Sequence, residues 1–480
     1  MKIRGPAFLT VTLATGQMIG LVRTFVVARF LGPDVQGEAV ALGLIGGFFA
    51  ATLAMNASWQ LVQSRRADIA EFQSSLQGAA IVRGLFASLL MAVLGTFILH
   101  QLSQESLAPA LYAIALTPFI EGFIHLDPWR ALRDDRFKPL ALFQLSGPLG
   151  SSISAYIALF FIQDIWVVVL VMLCTSLFRV AGSHLVATHS WKAKIHWAHV
   201  REIIRFGLPL VPAGLMFWVN TQSNQLLMFA GDRMESLPIF SDAEIGAYGT
   251  VAGIVLLPRG TLVTVMKAIF IPKLARAIDR PEVFEKKFLW ATSGTFMLVN
   301  LIVLSGLVAG KAVFQVTLGS KFDVGNTVAP ILIFAMGIQL YRTFCYEASI
   351  AAGKTSVQFV GNTFRLSALG IAIALLWAGK GVEGLAWAIV VGELLSTIAS
   401  VIWLQITCIR QAWIILVALT LTLVVAFLIR TVQNLIGDLS SLQSLLVLAV
   451  LYICIGGLSW RPIKHFLSQR GEPGPGEPQR

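Results

Sequence analysis

Long apolar stretches, each interrupted only briefly by polar residues, run along nearly the whole chain. A helix needs about 20 mainly apolar residues to cross a hydrocarbon layer of roughly 30 Å. By this measure the sequence predicts an all-α membrane protein with about fourteen transmembrane helices. Their predicted bounds are 7–31, 37–63, 78–100, 107–127, 139–162, 165–188, 207–230, 246–272, 288–310, 328–352, 356–378, 383–408, 411–430 and 443–460.

Composition supports lipid rather than water as the solvent of this chain. Hydrophobic residues make up 56% of the 480 positions and charged residues only 13%, which excludes a soluble protein of several domains. The breaks between predicted spans are too short to hold a folded domain. We therefore expect the function to reside among the helices.

Basic residues outside the predicted spans lie mostly on one side of the membrane. With the first span entering from the cytoplasm, 23 Lys and Arg lie on the cytoplasmic side and four on the other. Positive charge concentrates in cytoplasmic loops, so this asymmetry predicts an inner-membrane protein with both termini in the cytoplasm. Anionic lipid headgroups then account in part for the net charge of +11, and no nucleic-acid partner is expected.

Motifs for catalysis, metals or cofactors do not emerge from the sequence. The four cysteines are isolated, which predicts neither disulfides nor a metal site. Ala352-Gly353-Lys354-Thr355 resembles the end of a P-loop, but Ala348 occupies the position of the earlier glycine. We expect no catalytic residue, no metal and no cofactor.

A weak internal repeat suggests how the chain is organised. Ala28-Arg29-Phe30-Leu31-Gly32 has a counterpart in Met228-Phe229-Ala230-Gly231, each near the start of a block of six spans. The predicted domains are two six-helix bundles, two additional transmembrane helices and a Pro/Gly-rich disordered cytoplasmic tail. Their predicted bounds are 1–200, 201–408, 409–460 and 461–480.

Basic residues inside the predicted spans require an explanation, because each costs about 2.5–3.5 kcal/mol near a helix centre. They are Arg23, Arg29, Arg83, Arg179, Arg259, Lys267, Arg342, Arg365 and Arg430. Arg83, Lys267 and Arg430 lie close enough to a span end to reach the membrane surface. Four others, Arg23, Arg259, Arg342 and Arg365, are too deep for that, which predicts that they face a water-filled cavity or an anionic partner.

Acidic residues inside the spans are fewer, chiefly Glu121, Glu347 and Glu393. They cannot neutralise every deep arginine, so the interior is expected to be cationic. The planar arginine fork matches phosphate oxygens, which makes a diphosphate headgroup a suitable ligand. The alternative is a set of structural ties from arginine to glutamate or carbonyl groups between helices.

Polar residues interrupt two further spans. Asn220 and Asn224 lie one turn apart in a run of six polar residues, where they could bind sugar hydroxyls or tie helices together. Gln358, Asn362 and Arg365 recur at the spacing of one helix face. Both patterns are typical of helices that line a polar cavity.

The first span contains the run from Gly20 to Pro33, which is followed by Gly37. This run resembles the polysaccharide flippase branch of the multidrug/oligosaccharidyl-lipid/polysaccharide exporter superfamily. Further similar stretches are Phe206-Gly207-Leu208-Pro209, Gly246-Ala247-Tyr248, Leu318-Gly319-Ser320-Lys321-Phe322, Ala352-Gly353-Lys354 and the run from Gly381 to Ala388.

This resemblance implies two six-helix bundles in a V around a central cavity, with two extra helices, working by alternating access. The implied cargo is an undecaprenyl-pyrophosphate-linked oligosaccharide for O-antigen, capsule or exopolysaccharide. Arg23, Arg29 and Arg259 resemble cavity arginines of the related peptidoglycan lipid flippase. We expect Arg23 and Arg259 to hold the diphosphate, Arg342 and Arg365 to support them, and Arg29 to serve an outer gate.

Further expectations concern energy and partners. Flipping alone has no direction, so a proton or sodium ion could be coupled through Glu121, Glu347 or Glu393. Membrane lipids are expected partners, and the polysaccharide polymerase and chain-length machinery are further candidates. Two other functions stay open: a multidrug or organic-ion exporter of the same superfamily, and a membrane-embedded polymerase or glycosyltransferase.

Overall fold

The computed structural model describes residues 5–436, except for 54–56, 65, 67–68, 209, 232–235, 257–258, 261, 264–265, 267–273, 275–276, 278–279, 323 and 353–355. This part of the chain forms α-helices joined by short turns and contains no strand. Seven of its helices are long and apolar enough to span a membrane. The prediction of an all-α, multi-pass membrane protein is confirmed, while the predicted span 443–460 and the tail 461–480 lie outside the described residues.

The chain divides into two compact units, Met1–Thr250 and Val251–Arg480. The first unit contains α1 (Gly5–Thr52), α2 (Ala57–Gln63), α3 (Ala70–Gln101), α4 (Ala108–Ile114), α5 (Thr117–Glu121), α6 (Asp127–Arg133), α7 (Phe137–Ala158), α8 (Ile165–Leu185), α9 (Trp197–Gly207), α10 (Leu210–Ala230) and most of α11 (Asp242–Leu256). The second contains α12 (Pro281–Leu318), α13 (Val324–Ala351), α14 (Ser356–Arg365), α15 (Ser367–Trp377), α16 (Gly381–Thr407) and α17 (Ile414–Ile436). The domain boundaries expected at 200 and 408 stay predictions.

Helix α1 consists of two helices that meet at Gly32. Gly32 has φ 81° and ψ 173°, a conformation that glycine adopts without a Cβ clash. Pro33 follows it and cannot donate a backbone hydrogen bond. The break separates the predicted spans 7–31 and 37–63, but the second was too long, because α1 ends at Thr52 and α2 is a separate short helix.

The predicted span 107–127 was wrong as a continuous helix. It contains α4 and α5, separated by a turn after Ile114. Pro118 stands in the first turn of α5, where its missing amide hydrogen and fixed φ suit a new helix start rather than a helix interior. Glu121 is therefore the last residue of a five-residue helix and not part of a long span.

Exposed apolar side chains lie along one face of α3. Val82, Phe86, Leu89, Val93 and Phe97 are each more than half exposed and recur at intervals of three or four residues. In a soluble protein such a stripe would have to be covered. Here it is the face expected to contact lipid.

Just after its break at Gly32, helix α1 packs directly against α11 in the first unit. A Cβ atom added at Gly37 would lie 2.2 Å from the carbonyl oxygen of Asp242, and one added at Gly246 would lie 1.9 Å from that of Pro33. Asp242 also accepts a 2.9 Å hydrogen bond from the side chain of Gln104. The two glycines therefore allow a backbone contact that no larger residue permits.

Replacing Gly246 with Ala should lower the stability of the first unit, since overpacking a tight contact costs about 1–3 kcal/mol. Gly43→Ala is the matched control, because a Cβ at this helical position meets nothing within 4 Å. We expect Gly246→Ala to lower the thermal unfolding midpoint of the purified protein in detergent and Gly43→Ala to keep or raise it. Equal midpoints would contradict the contact.

Candidate functional site

A buried carboxylate between two arginines forms the centre of the second unit. The Glu393 side chain is 1% exposed and accepts a 2.7 Å hydrogen bond from Arg342 Nε and a 2.5 Å bond from Arg365 Nε. Gln339 Nε2 donates to the same carboxylate at 2.9 Å. The three charged residues come from α13, α14 and α16, so the ion pairs tie these helices together.

Close packing of α14 against its neighbours makes this arrangement possible. A Cβ added at Gly361 would lie 2.3 Å from both the Tyr346 and the Ser400 hydroxyl oxygens. Ser396 Oγ donates to the Gly361 carbonyl at 2.6 Å. A larger residue at position 361 would displace the Ser400 and Tyr346 side chains or α14 itself, and Tyr346 is a partner of Arg342.

The two arginines differ in how fully their donors are used. Arg342 also donates from Nη1 to Tyr346 Oη at 2.6 Å and to Asn362 Oδ1 at 3.2 Å, and its guanidinium lies 5.1 Å from the centre of the Tyr346 ring. Within the described part of the chain, Arg365 makes hydrogen bonds only through Nε. Arg342 is therefore fixed by its partners, and Arg365 has two terminal nitrogens left for a ligand.

Arg259 lies within electrostatic range of this cluster. Its charge interacts with those of Arg342, Arg365 and Glu393, and its side chain is half-buried. These four groups carry three positive charges and one negative charge. The second unit thus brings together three of the predicted arginines and one of the predicted carboxylates, while Glu347 is buried elsewhere on α13, at 4% exposure.

The first unit holds a cavity of about 430 Å³. Its charged lining residues are Arg23 on α1, Arg83 on α3 and Glu121 at the end of α5. Most of the remaining wall is apolar, including Phe49 and Met91. Arg23 Nη1 donates to Ser151 Oγ, so a neutral hydroxyl rather than a carboxylate is its hydrogen-bond partner, and the cavity carries surplus positive charge.

Glu121 forms an ion pair with Arg179 on α8. Arg179 Nη1 donates to Glu121 Oε1 at 2.6 Å, and Ser176 Oγ donates to the same oxygen at 3.4 Å. Arg179 and Glu121 are each about one third exposed. The pair is accessible, in contrast to the enclosed pair of Arg342 and Glu393.

Two further arginines were not predicted as site residues: Arg83, which lines this cavity, and Arg179, which binds Glu121. Arg83 looked close enough to a span end to reach the membrane surface, but it lies on the wall of the cavity with Arg23. For Arg83 the sequence offered one signal, the glycine that follows it, and a glycine likewise follows Glu121. A Cβ at Gly84 would lie 2.4 Å from the Pro118 carbonyl oxygen, and one at Gly122 would lie 2.9 Å from Ile81 Cα.

The other predicted residues of the first unit lie in different surroundings. Arg29 is exposed on α1 and does not line the cavity. Asn224 is buried and donates from Nδ2 to Tyr248 Oη at 2.8 Å, which ties α10 to α11. Asn220, one turn earlier, is half-buried, so the two asparagines differ in their access to a ligand.

Comparison with known sequences identifies a family. Residues 26–325 match the family described as polysaccharide biosynthesis protein, which is more than half of the chain. None of the curated proteins matches the sequence.

Comparison with solved structures supports the fold. The lipid II flippase MurJ in an inward closed conformation is similar with a TM-score of 0.73, at 12% identity, over 95% of this chain and 99% of that one. An inward-facing multidrug resistance MATE family transporter of the MOP superfamily has a TM-score of 0.62, at 13% identity, over 83% and 97% of the two chains. A MOP superfamily transporter from Pyrococcus furiosus, whose binding pocket is described as having reverse polarity, has a TM-score of 0.53 at 16% identity over 84% and 97%.

Replacing Glu393 with Gln should destabilise the second unit, because it leaves Arg342 and Arg365 buried without a counter-charge. Breaking such a buried pair costs about 3–5 kcal/mol. Glu383→Gln is the matched control, since Glu383 is an exposed carboxylate in the first turn of the same helix. Thermal unfolding in detergent should show a lower midpoint for Glu393→Gln only; a wild-type midpoint would contradict a stabilising role for the pair.

Proposed function

Because the chain belongs to the family of polysaccharide biosynthesis proteins, we propose that it is a flippase for a lipid-linked oligosaccharide. The proposed substrate is an undecaprenyl-pyrophosphate-linked unit of O-antigen, capsule or exopolysaccharide. It moves from the cytoplasmic to the periplasmic leaflet of the bacterial inner membrane. In this proposal both termini are cytoplasmic, and the chain is a transporter rather than an enzyme.

The cationic cavity of the first unit is the observation that carries this proposal. Arg23 and Arg83 outnumber Glu121 on its wall, and Glu121 is already bound by Arg179. A cavity with surplus positive charge and apolar walls favours an anion, since the attraction is stronger where water is scarce. A diphosphate carries the required charge, and arginine can bind its oxygens with two parallel hydrogen bonds.

Separate roles follow for the arginines of each unit. Arg23 can exchange the Ser151 hydroxyl for a phosphate oxygen, which gains a hydrogen bond between two charged groups. In the second unit Arg259 contributes surplus charge, and Arg365 has free donors beside its bond to Glu393. Arg342 supports them by holding Glu393 in place. Asn220 is the better placed of the two asparagines to contact sugar hydroxyls.

A multidrug exporter is the second candidate, because MATE transporters share the fold. An organic cation would favour a site in which carboxylates outnumber arginines. Both charged clusters have the opposite balance. Efflux of organic cations from cells that produce the protein, with no transport of lipid diphosphates, would establish this function in place of the proposed one.

Replacing Arg23 or Arg259 with Ala should reduce transport at least about tenfold, because each removes a charge-assisted contact worth roughly 1.5–3 kcal/mol. The assay measures translocation of a fluorescent undecaprenyl-diphosphate oligosaccharide in sealed vesicles that contain the purified protein. Arg136→Ala is the control, since Arg136 is half exposed and paired with Asp134. Wild-type transport by both the Arg23→Ala and the Arg259→Ala variants would contradict the proposal.

We propose that ion coupling involves Glu121 rather than Glu347 or Glu393. Glu121 is about one third exposed and lines a cavity, whereas Glu393 is enclosed by two arginines. A proton or sodium gradient should therefore accelerate flipping by the wild type, and Glu121→Gln should remove this acceleration. Flux that does not respond to either gradient would contradict coupling, and a response that persists in Glu121→Gln would assign it to another residue.

A further inference from the structure

A second cavity lies beside the first in the same unit. It measures about 180 Å³ and is lined by α2, α3, α5, α6, α8 and α9. Three of its lining residues are charged: Arg83, Glu121 and Arg179. Arg83 and Glu121 also line the larger cavity of about 430 Å³. These two side chains therefore stand at the boundary between the two cavities.

Close backbone contacts place Arg83 and Glu121 at this boundary. Gly84 follows Arg83 on α3 and Gly122 follows Glu121 at the end of α5, and both make backbone contacts that a side chain would prevent. Ser88 Oγ accepts a 3.1 Å hydrogen bond from the Phe119 amide, which adds a further tie between the two helices. The positions of these two charged side chains thus depend on the close contact of α3 with α5.

The charges of the smaller cavity favour an anion as well. Arg83 and Arg179 outnumber Glu121, which leaves one positive charge in excess. Among the described residues, the hydrogen bonds of Arg83 are limited to one of 3.3 Å from Nη1 to the Leu53 carbonyl oxygen, and its enclosed Nε has no partner. The terminal nitrogens of Arg83 could therefore donate to a ligand in the cavity.

The position of the smaller cavity along the chain indicates a side of the membrane. Its wall includes Ser58, Trp129 and Ile203, which come from elements next to the loops that the Lys and Arg pattern assigns to the cytoplasm. The larger cavity is lined instead by residues well inside long helices, such as Met91 on α3 and Met172 on α8.

We propose that the smaller cavity is a second anion site, at the cytoplasmic end of the first unit, that binds a phosphate group before the larger cavity does. This proposal rests on the proposed flippase function. Arg83 belongs to both sites, so it can keep contact with the phosphate as that group passes from one to the other. Glu121 is the internal anion that the phosphate displaces from Arg179.

Reactive cysteines can report each cavity separately. Ser58→Cys places a thiol in the smaller cavity and Ala50→Cys places one in the larger, in a chain whose four native cysteines are replaced by alanine. The measured quantity is the rate of labelling by a negatively charged methanethiosulfonate, with and without inorganic pyrophosphate. Both thiols should be protected by pyrophosphate, and both should react faster with the anionic reagent than with a cationic one of similar size.

Three variants separate the contributions of the charges. Arg23→Gln should weaken protection about tenfold at position 50 and leave it unchanged at position 58, whereas Arg83→Gln should weaken it about tenfold at both. Glu121→Gln should strengthen protection at both positions, because it removes the competing carboxylate. Protection kept at position 58 in Arg23→Gln also shows that this variant is folded.

The outcomes distinguish the second site from the proposed function. Protection at position 50 without protection at position 58 would overturn the second site and leave the flippase proposal intact. Protection at neither position would count against both. Protection at both positions, with the expected response to Arg83→Gln, supports a path for the phosphate through two cavities.

Discussion

Charge held among apolar helices is the constraint on which the arrangement of this protein depends. A guanidinium inside a membrane-spanning bundle needs a counter-charge, a set of hydrogen-bond acceptors or access to water. Arg342 has the first two, through Glu393, Tyr346 and Asn362. Within the described residues, Arg23 has a single hydroxyl as hydrogen-bond partner, and a cavity lies beside it. The two units therefore compensate the free-energy cost of an arginine among apolar helices in different ways.

This difference distinguishes charges that tie helices together from charges that stay accessible to a ligand. A guanidinium whose donors are all bonded cannot bind a substrate without losing a partner. That loss costs much free energy when the partner is a buried carboxylate. A guanidinium beside a cavity can gain contacts with a ligand at little cost. On this basis Arg342 supports the helices, and Arg23 and Arg83 are the better candidates for substrate contact. Arg365 combines both properties, with one donor bonded and others available.

The sequence was sufficient for the fold class and for the presence of excess interior charge, because both depend on composition and on the length of apolar runs. It was not sufficient for the irregular segments. Pro118 divides the predicted span 107–127, and only the resulting turn places Glu121 at a cavity. The sequence also left open whether each deep arginine forms an ion pair between helices or binds a ligand. The partner of an arginine on another helix depends on packing. The link from Arg365 to Glu393 is 28 residues along the chain, a separation that periodicity does not resolve.

Transport through a cationic cavity must select the negative charge of the linkage between lipid and sugar. The most direct measurement compares two substrates with the same lipid and the same oligosaccharide, one joined by a diphosphate and the other by a neutral linker. Both are tested for translocation in sealed vesicles containing the purified wild-type protein. We expect transport of the diphosphate compound and little transport of the neutral one; equal rates for the two would contradict selection by charge.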